Sequence, residues 1–257
     1  MFRLCLALIA CAGALLAAPD AAAQRNVDYC SLGGRNASLM LIDRTSPYSL
    51  RGEDRQGERI AAGVDAVLAS LQAGDRFSIA TIERHRRLSQ PVFDACYPGC
   101  RNNGGFQFPG MCPEATIAAE RRAFRVRLIR AVAPFLENTE EQPNSDVVGT
   151  IFQAAGQHRY TRLFIYSDML ENSALLPYTS RFASGQPQDN MGLVRRSGFV
   201  PVLRNAQVQV VGFGLSHARN HPPLTEQQDR DIREFWRLYF AAGGAVIDYR
   251  TVITPGS

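Results

Sequence analysis

One stretch, Ala37 to Tyr48 (Ala-Ser-Leu-Met-Leu-Ile-Asp-Arg-Thr-Ser-Pro-Tyr), limits what this chain can fold into more than any other. Its apolar run ends abruptly on Asp43, then on two hydroxyls and a proline. A short continuous apolar run bounded by turn residues reads as a strand buried on both faces, as in a parallel sheet. An acidic residue where such a strand stops lies at the carboxyl edge of the sheet, where open α/β folds put ligands. A later run, Arg162-Leu-Phe-Ile-Tyr-Ser-Asp168, has the same form and also ends on a carboxylate.

The intervening segments alternate in kind. Ile60, Val64, Val67, Leu68 and Leu71 recur at helical spacing, and Gly74-Asp75 stops that helix. Phe77 to Ile82 alternates and is rich in β-formers. Strand, helix and strand form a βαβ unit of right-handed sense. Pro91 to Pro113 reads as an irregular, cysteine-rich insertion. A long helix follows, with Ile117, Phe124, Leu128, Val132 and Phe135 as its buried stripe. Arg121, Arg122, Arg125, Arg127 and Arg130 fall on its solvated faces. Asn144 or Ser145 suits an N-cap, with Asp146 in the first turn of a short helix Val147 to Gln157. Glu171 to Asn205 is a long excursion holding a turn or two of helix near Leu193. Val208 to Gly214 is a strand, Thr225 with Gln228 a capping box, and Ile232, Phe235, Trp236, Tyr239 and Phe240 one helical face. Gly243-Gly244 ends that helix before a last strand, Ala245 to Tyr249. The fold class is α/β: a doubly wound, mostly parallel, Rossmann-like sheet flanked by helices.

Residues 1–23 are a signal peptide by pattern, Arg3 preceding an apolar run that ends in Ala21-Ala22-Ala23. Leu8-Ile9-Ala10-Cys11 matches a lipoprotein box, but cleavage there leaves a very short apolar region. Residues 24–257 form a single domain, exported to the periplasm or secreted, with no transmembrane segment in the mature chain. Cys30, Cys96, Cys100 and Cys112 remain after Cys5 and Cys11 leave, so an oxidising compartment implies two disulfides of open connectivity. Cys96, Cys100 and Cys112 also have loose zinc spacing. His217 and His221 have ligand spacing only on a helix, and Pro222-Pro223 makes their segment a loop. The net charge of +4 is small, all 28 basic residues are arginine, and the arginine run of the long helix has no aromatic interleaving suited to base stacking. No nucleic-acid partner is expected.

Asp43, Thr45, Ser46, Ser145 and Asp168 converge at one edge of such a sheet, an all-oxygen set that suits Mg²⁺ or Mn²⁺. This set resembles the von Willebrand factor type A domain and its metal-ion-dependent adhesion site. In that family Asp-x-Ser-x-Ser follows the first strand, a Thr begins a later helix, and an Asp follows the next strand. Asp43-Arg44-Thr45-Ser46-Pro47, Ser145 and Asp168 stand in those places, with Pro47 replacing the third hydroxyl. Phe235 to Ala245 looks like the last helix and strand of bacterial members. The resemblance covers about Ser38 to Thr251 and implies a protein-binding domain whose partner donates a carboxylate to the ion. No nucleophile elbow or phosphate loop is present, and Thr45 stands where a phosphotransfer enzyme wants a second acid. Two alternatives accompany that reading: a metal-dependent hydrolase of a phosphate-type ester, with Asp43 and Asp168 holding the ion, and a metal-free scaffold subunit of an envelope assembly.

Overall fold

Along β1 (Ala37–Asp43), Leu39 and Leu41 enter one hydrophobic cluster while Met40 and Ile42 enter another on the opposite face of the sheet. This period-two division is what a strand covered on both faces demands. The computed structural model describes residues 28–48, 55–89, 91–100, 113–214 and 223–253. The expected signal peptide, Cys112, His217 and His221 lie outside the described residues.

After β1 come α1 (Gln56–Ser70), β2 (Arg76–Ile82), β3 (Pro91–Cys96), α2 (Glu114–Val132) and α3 (Val147–Ala155). β4 (Arg162–Tyr166), α4 (Pro187–Arg196), β5 (Gln207–Val211), α5 (Glu226–Ala242) and β6 (Val246–Arg250) complete the order. The strands lie in the order β3-β2-β1-β4-β5-β6, all parallel except β3, which pairs antiparallel with β2. Buried residues of α1 and α2 pack on one face, and those of α3, α4 and α5 on the other. The sheet is therefore the doubly wound, mostly parallel one the alternation predicts. No helix among the described residues is long and apolar enough to cross a membrane.

Three local expectations need correction. The insertion expected from residue 91 begins as a strand: Phe93 and Cys96 are buried while Asp94 points out to Arg76 and Ser78 (2.6 Å each). Pro91 is tolerated because it opens an edge strand. The excursion after Glu171 holds a ten-residue helix, α4, whose apolar signal is weak because it buries only Pro187, Asn190, Met191 and Val194. The cap of α3 is Asp146 itself, whose Oδ1 accepts the Gly149 N–H at 3.0 Å. Gly149 has no room for a Cβ beside that carboxylate, so the cap and the glycine belong together.

Cys30, in a 3₁₀ turn before β1, is bonded to Cys96 at the end of β3, with the Cα atoms 5.1 Å apart. Cys100 is disulfide-bonded as well. Two of the three thiolates of the zinc spacing, Cys96 and Cys100, are therefore committed to disulfides, a state consistent with an oxidising compartment.

Candidate functional site

β1 and β4 are neighbours, but the chain leaves β1 towards β2 and leaves β4 towards β5. That reversal is the switch point of the sheet, and a crevice opens there beyond the carboxyl ends of the two strands. Ile42 is in register with Tyr166, so Asp43 is one residue past that pair and Asp168 two. Two adjoining clefts, of about 20 Å³ and about 90 Å³, open at this point. Asp43 lines the smaller, Thr45 and Ser145 the larger, and Ser46 and Asp168 line both. All five residues singled out from the sequence thus meet at one rim. The space holds a few water-sized groups, well short of the several hundred Å³ that small-molecule sites offer.

Asp43 is buried and fully engaged. Its Oδ1 accepts the Thr45 N–H at 2.9 Å and the Thr45 hydroxyl at 2.6 Å, and its Oδ2 accepts the Ser167 hydroxyl at 2.5 Å. Burial nevertheless raises its pKa. Asp168 accepts the Leu170 N–H at 2.9 Å, and burial together with the Asp43 charge pushes its pKa up to about 8. The Asp43 charge raises Asp168, whereas Asp43 itself is raised by burial and, to a smaller degree, by Glu83. No cationic side chain is among the causes that act on either carboxylate, and the neighbouring Arg44 pairs its guanidinium with Glu83 and lies over Phe135. Ser145 Oγ is buried and has no hydrogen-bond partner among the described residues, although the Ser145 backbone is bridged to Asn172 on both sides. A buried hydroxyl without a partner is an unspent oxygen donor. These donors fit a hard divalent cation; among the described residues no group of three His, Cys, Asp or Glu could hold one, so hydroxyls would have to share the work.

Several residues that shape this rim carry no local signal. Asn138 is buried and directs its amide at the carbonyls of Arg44, Ser46 and Glu140, which fixes the loop after Asp43. Ser167, adjacent to Asp168 in a strand-end motif, turns to Asp43 from 124 positions away. Met169 takes a left-handed backbone (φ 61°), and the Trp236 indole of α5 holds its carbonyl at 2.9 Å. Strain of this kind next to a carboxylate persists only where the surroundings enforce it. Gly212 (φ 97°), the residue after β5, lines the smaller cleft at a backbone angle where a side chain would be strained.

No protein-family model and no curated protein matches the sequence. Among solved structures the chain is similar to a von Willebrand factor type A protein from Catenulispora acidiphila, with TM-score 0.41, 11% identity and 84% of this chain covered. It spans 39% of that chain's length. The SpRpn10 VWA domain (TM-score 0.39, 10% identity, 84% of this chain and 87% of that one) is also similar. So is BatB from Bacteroides thetaiotaomicron (TM-score 0.38, 10% identity, 85% and 91%). At such low scores the strand order and register, rather than these likenesses, carry the fold: a six-stranded, mostly parallel α/β sheet with its crevice between β1 and β4.

Proposed function

We propose that this chain is an exported binding domain that engages a protein partner through a divalent cation, Mg²⁺ or Mn²⁺, held at the crevice. Asp43, Thr45, Ser145 and Asp168 would hold the ion, with Ser46 acting through water where Pro47 removes a hydroxyl. The observation that supports this reading most is Ser145 Oγ, buried without a partner among the described residues and lining the same cleft as Asp168, whose pKa burial and the Asp43 charge raise to about 8. Clefts this small favour an ion completed by a partner's carboxylate over a bound metabolite. Asn172 and Tyr178, from the Glu171 to Asn205 stretch, line the larger cleft, so that stretch would supply specificity, whereas the cysteine-rich segment leaves β3 at Cys96, in register with Arg76 at the opposite, amino end of β2.

Titration calorimetry of the mature protein with Mg²⁺ and Mn²⁺ tests the ion. Heat is expected from wild type and none from Asp43→Ala. Ser145→Ala should weaken binding several-fold while leaving the melting temperature in place, since that hydroxyl makes no hydrogen bond among the described residues. No heat from wild type, or equal heat from Asp43→Ala, removes the ion. The metal-free scaffold reading would then gain, favoured by the complete hydrogen bonding of Asp43. Capture of a partner from the producing cell's envelope should be lost on adding a chelator.

A further inference from the structure

β6 is the outer strand of the sheet, hydrogen-bonded to β5 and to no other strand among the described residues. The Val246 N–H donates to Ala206 O at 3.1 Å, so Val246, Asp248 and Arg250 turn their backbone groups inward to β5. Backbone direction alternates along a strand. Ile247 and Tyr249 therefore direct both N–H and C=O to the open edge. The side chains of Val246, Asp248 and Arg250 share the exposed face: Val246 is 74% exposed, and Asp248 and Arg250 form an exposed ion pair.

An open edge of this kind accepts another strand, and the residue pattern here specifies which one. We propose that β6 pairs antiparallel with β6 of a second copy of this chain, across a two-fold axis at Tyr249. Tyr249 then faces Tyr249 of the second copy and exchanges both backbone hydrogen bonds, as a narrow antiparallel pair requires. The flanking positions become the closely spaced, non-hydrogen-bonded pairs, and they set Asp248 against Arg250 of the second copy and Arg250 against its Asp248. Past Arg250 the chain bends at Thr251 and Val252 and buries Ile253 in the cluster on the α1 face, so the pairing is confined to the residues about Tyr249. The sequence Asp248-Tyr249-Arg250 is thus complementary to itself when reversed, the property an isologous interface needs. The other edge lacks this property: β3 begins with Pro91 and engages Asp94 with Arg76 and Ser78 of β2.

Two five-residue edges make a small interface, so the dimer is weak and salt-sensitive. Sedimentation velocity of the mature chain over roughly 1 µM to 1 mM, the range in which small interfaces saturate, is the test. Wild type should pass from monomer to dimer, with the midpoint moving to higher concentration in salt. Asp248→Arg and Arg250→Asp should each remain monomeric, because like charges then oppose one another. An equal mixture of those two variants should dimerise again, since each supplies the charge the other lacks. Circular dichroism checks their folding, and Asp248→Asn with Arg250→Gln offers a milder loss of the same pairs. A wild type that stays monomeric throughout, including one that takes up an unrelated extended peptide, overturns the proposal. So do single variants that dimerise as wild type does, or a mixture that does not recover.

Discussion

Glu171 is a buried carboxylate that the crevice does not use. Its Oε2 accepts the Val148 N–H at 2.8 Å at the start of α3, while Oε1 has no hydrogen-bond partner among the described residues. Burial is the main cause of a pKa raised from 4.5 to about 8. As pH rises through that interval the unfolded chain releases this proton before the folded chain does, so stability falls across the window and is greatest below it. Denaturant titrations of cation-free protein should show this decline. Glu171→Gln, which keeps an acceptor for Val148 and has no such proton to lose, should make the decline shallower and leave the part that Asp168 contributes over the same window; an unchanged slope would assign the effect elsewhere. The meeting of Asp43, Thr45, Ser46, Ser145 and Asp168 at one rim was legible because each sits at or just past a strand end or at a helix start. Ser167 and Asn138 were not: what they do depends on Asp43 and on the 44–46 carbonyls, 124 and more than 90 positions away.

At the scale of elements, helical spacing made α1 and α5 legible, and the capping box of Thr225 and Gln228 is present as read. Spacing does not reveal how closely a helix approaches the sheet. Gly63 of α1 lies against the ring of Tyr166 on β4, whose hydroxyl donates to Arg59 O at 2.9 Å, and a Cβ at position 63 would collide with that hydroxyl. Gly63→Ala should cost about 1–3 kcal/mol through overpacking, measured by chemical denaturation. Adding Tyr166→Phe removes the first obstacle, so the double variant should lose less than the sum of the two single ones. The α4 helix was read as a turn or two because its polar composition hides the period. β3 went unread because a leading proline and the glycines after it suggest loop.

For the molecule as a whole, the Cys30–Cys96 bond ties the segment before β1 to the far edge of the sheet across 66 positions. Closing a loop of that length restrains the unfolded chain by roughly 4 kcal/mol on the chain-entropy argument. Cys30→Ser should therefore lower the denaturation midpoint markedly with little change at the crevice, and a loss below about 1 kcal/mol would contradict that account. Sequence by itself determined the alternation of strands and helices, the burial of β1 and β4 on both faces, and the acidic ends that mark the ligand edge. Those properties follow from side-chain polarity repeated over neighbouring residues. Only the tertiary structure decided the strand order that places the switch point between Asp43 and Asp168, the pairing of the cysteines, the antiparallel edge and the partners of Asp43. Each of these is a contact between residues far apart in the chain, whose free energy exists only once the sheet has brought them together.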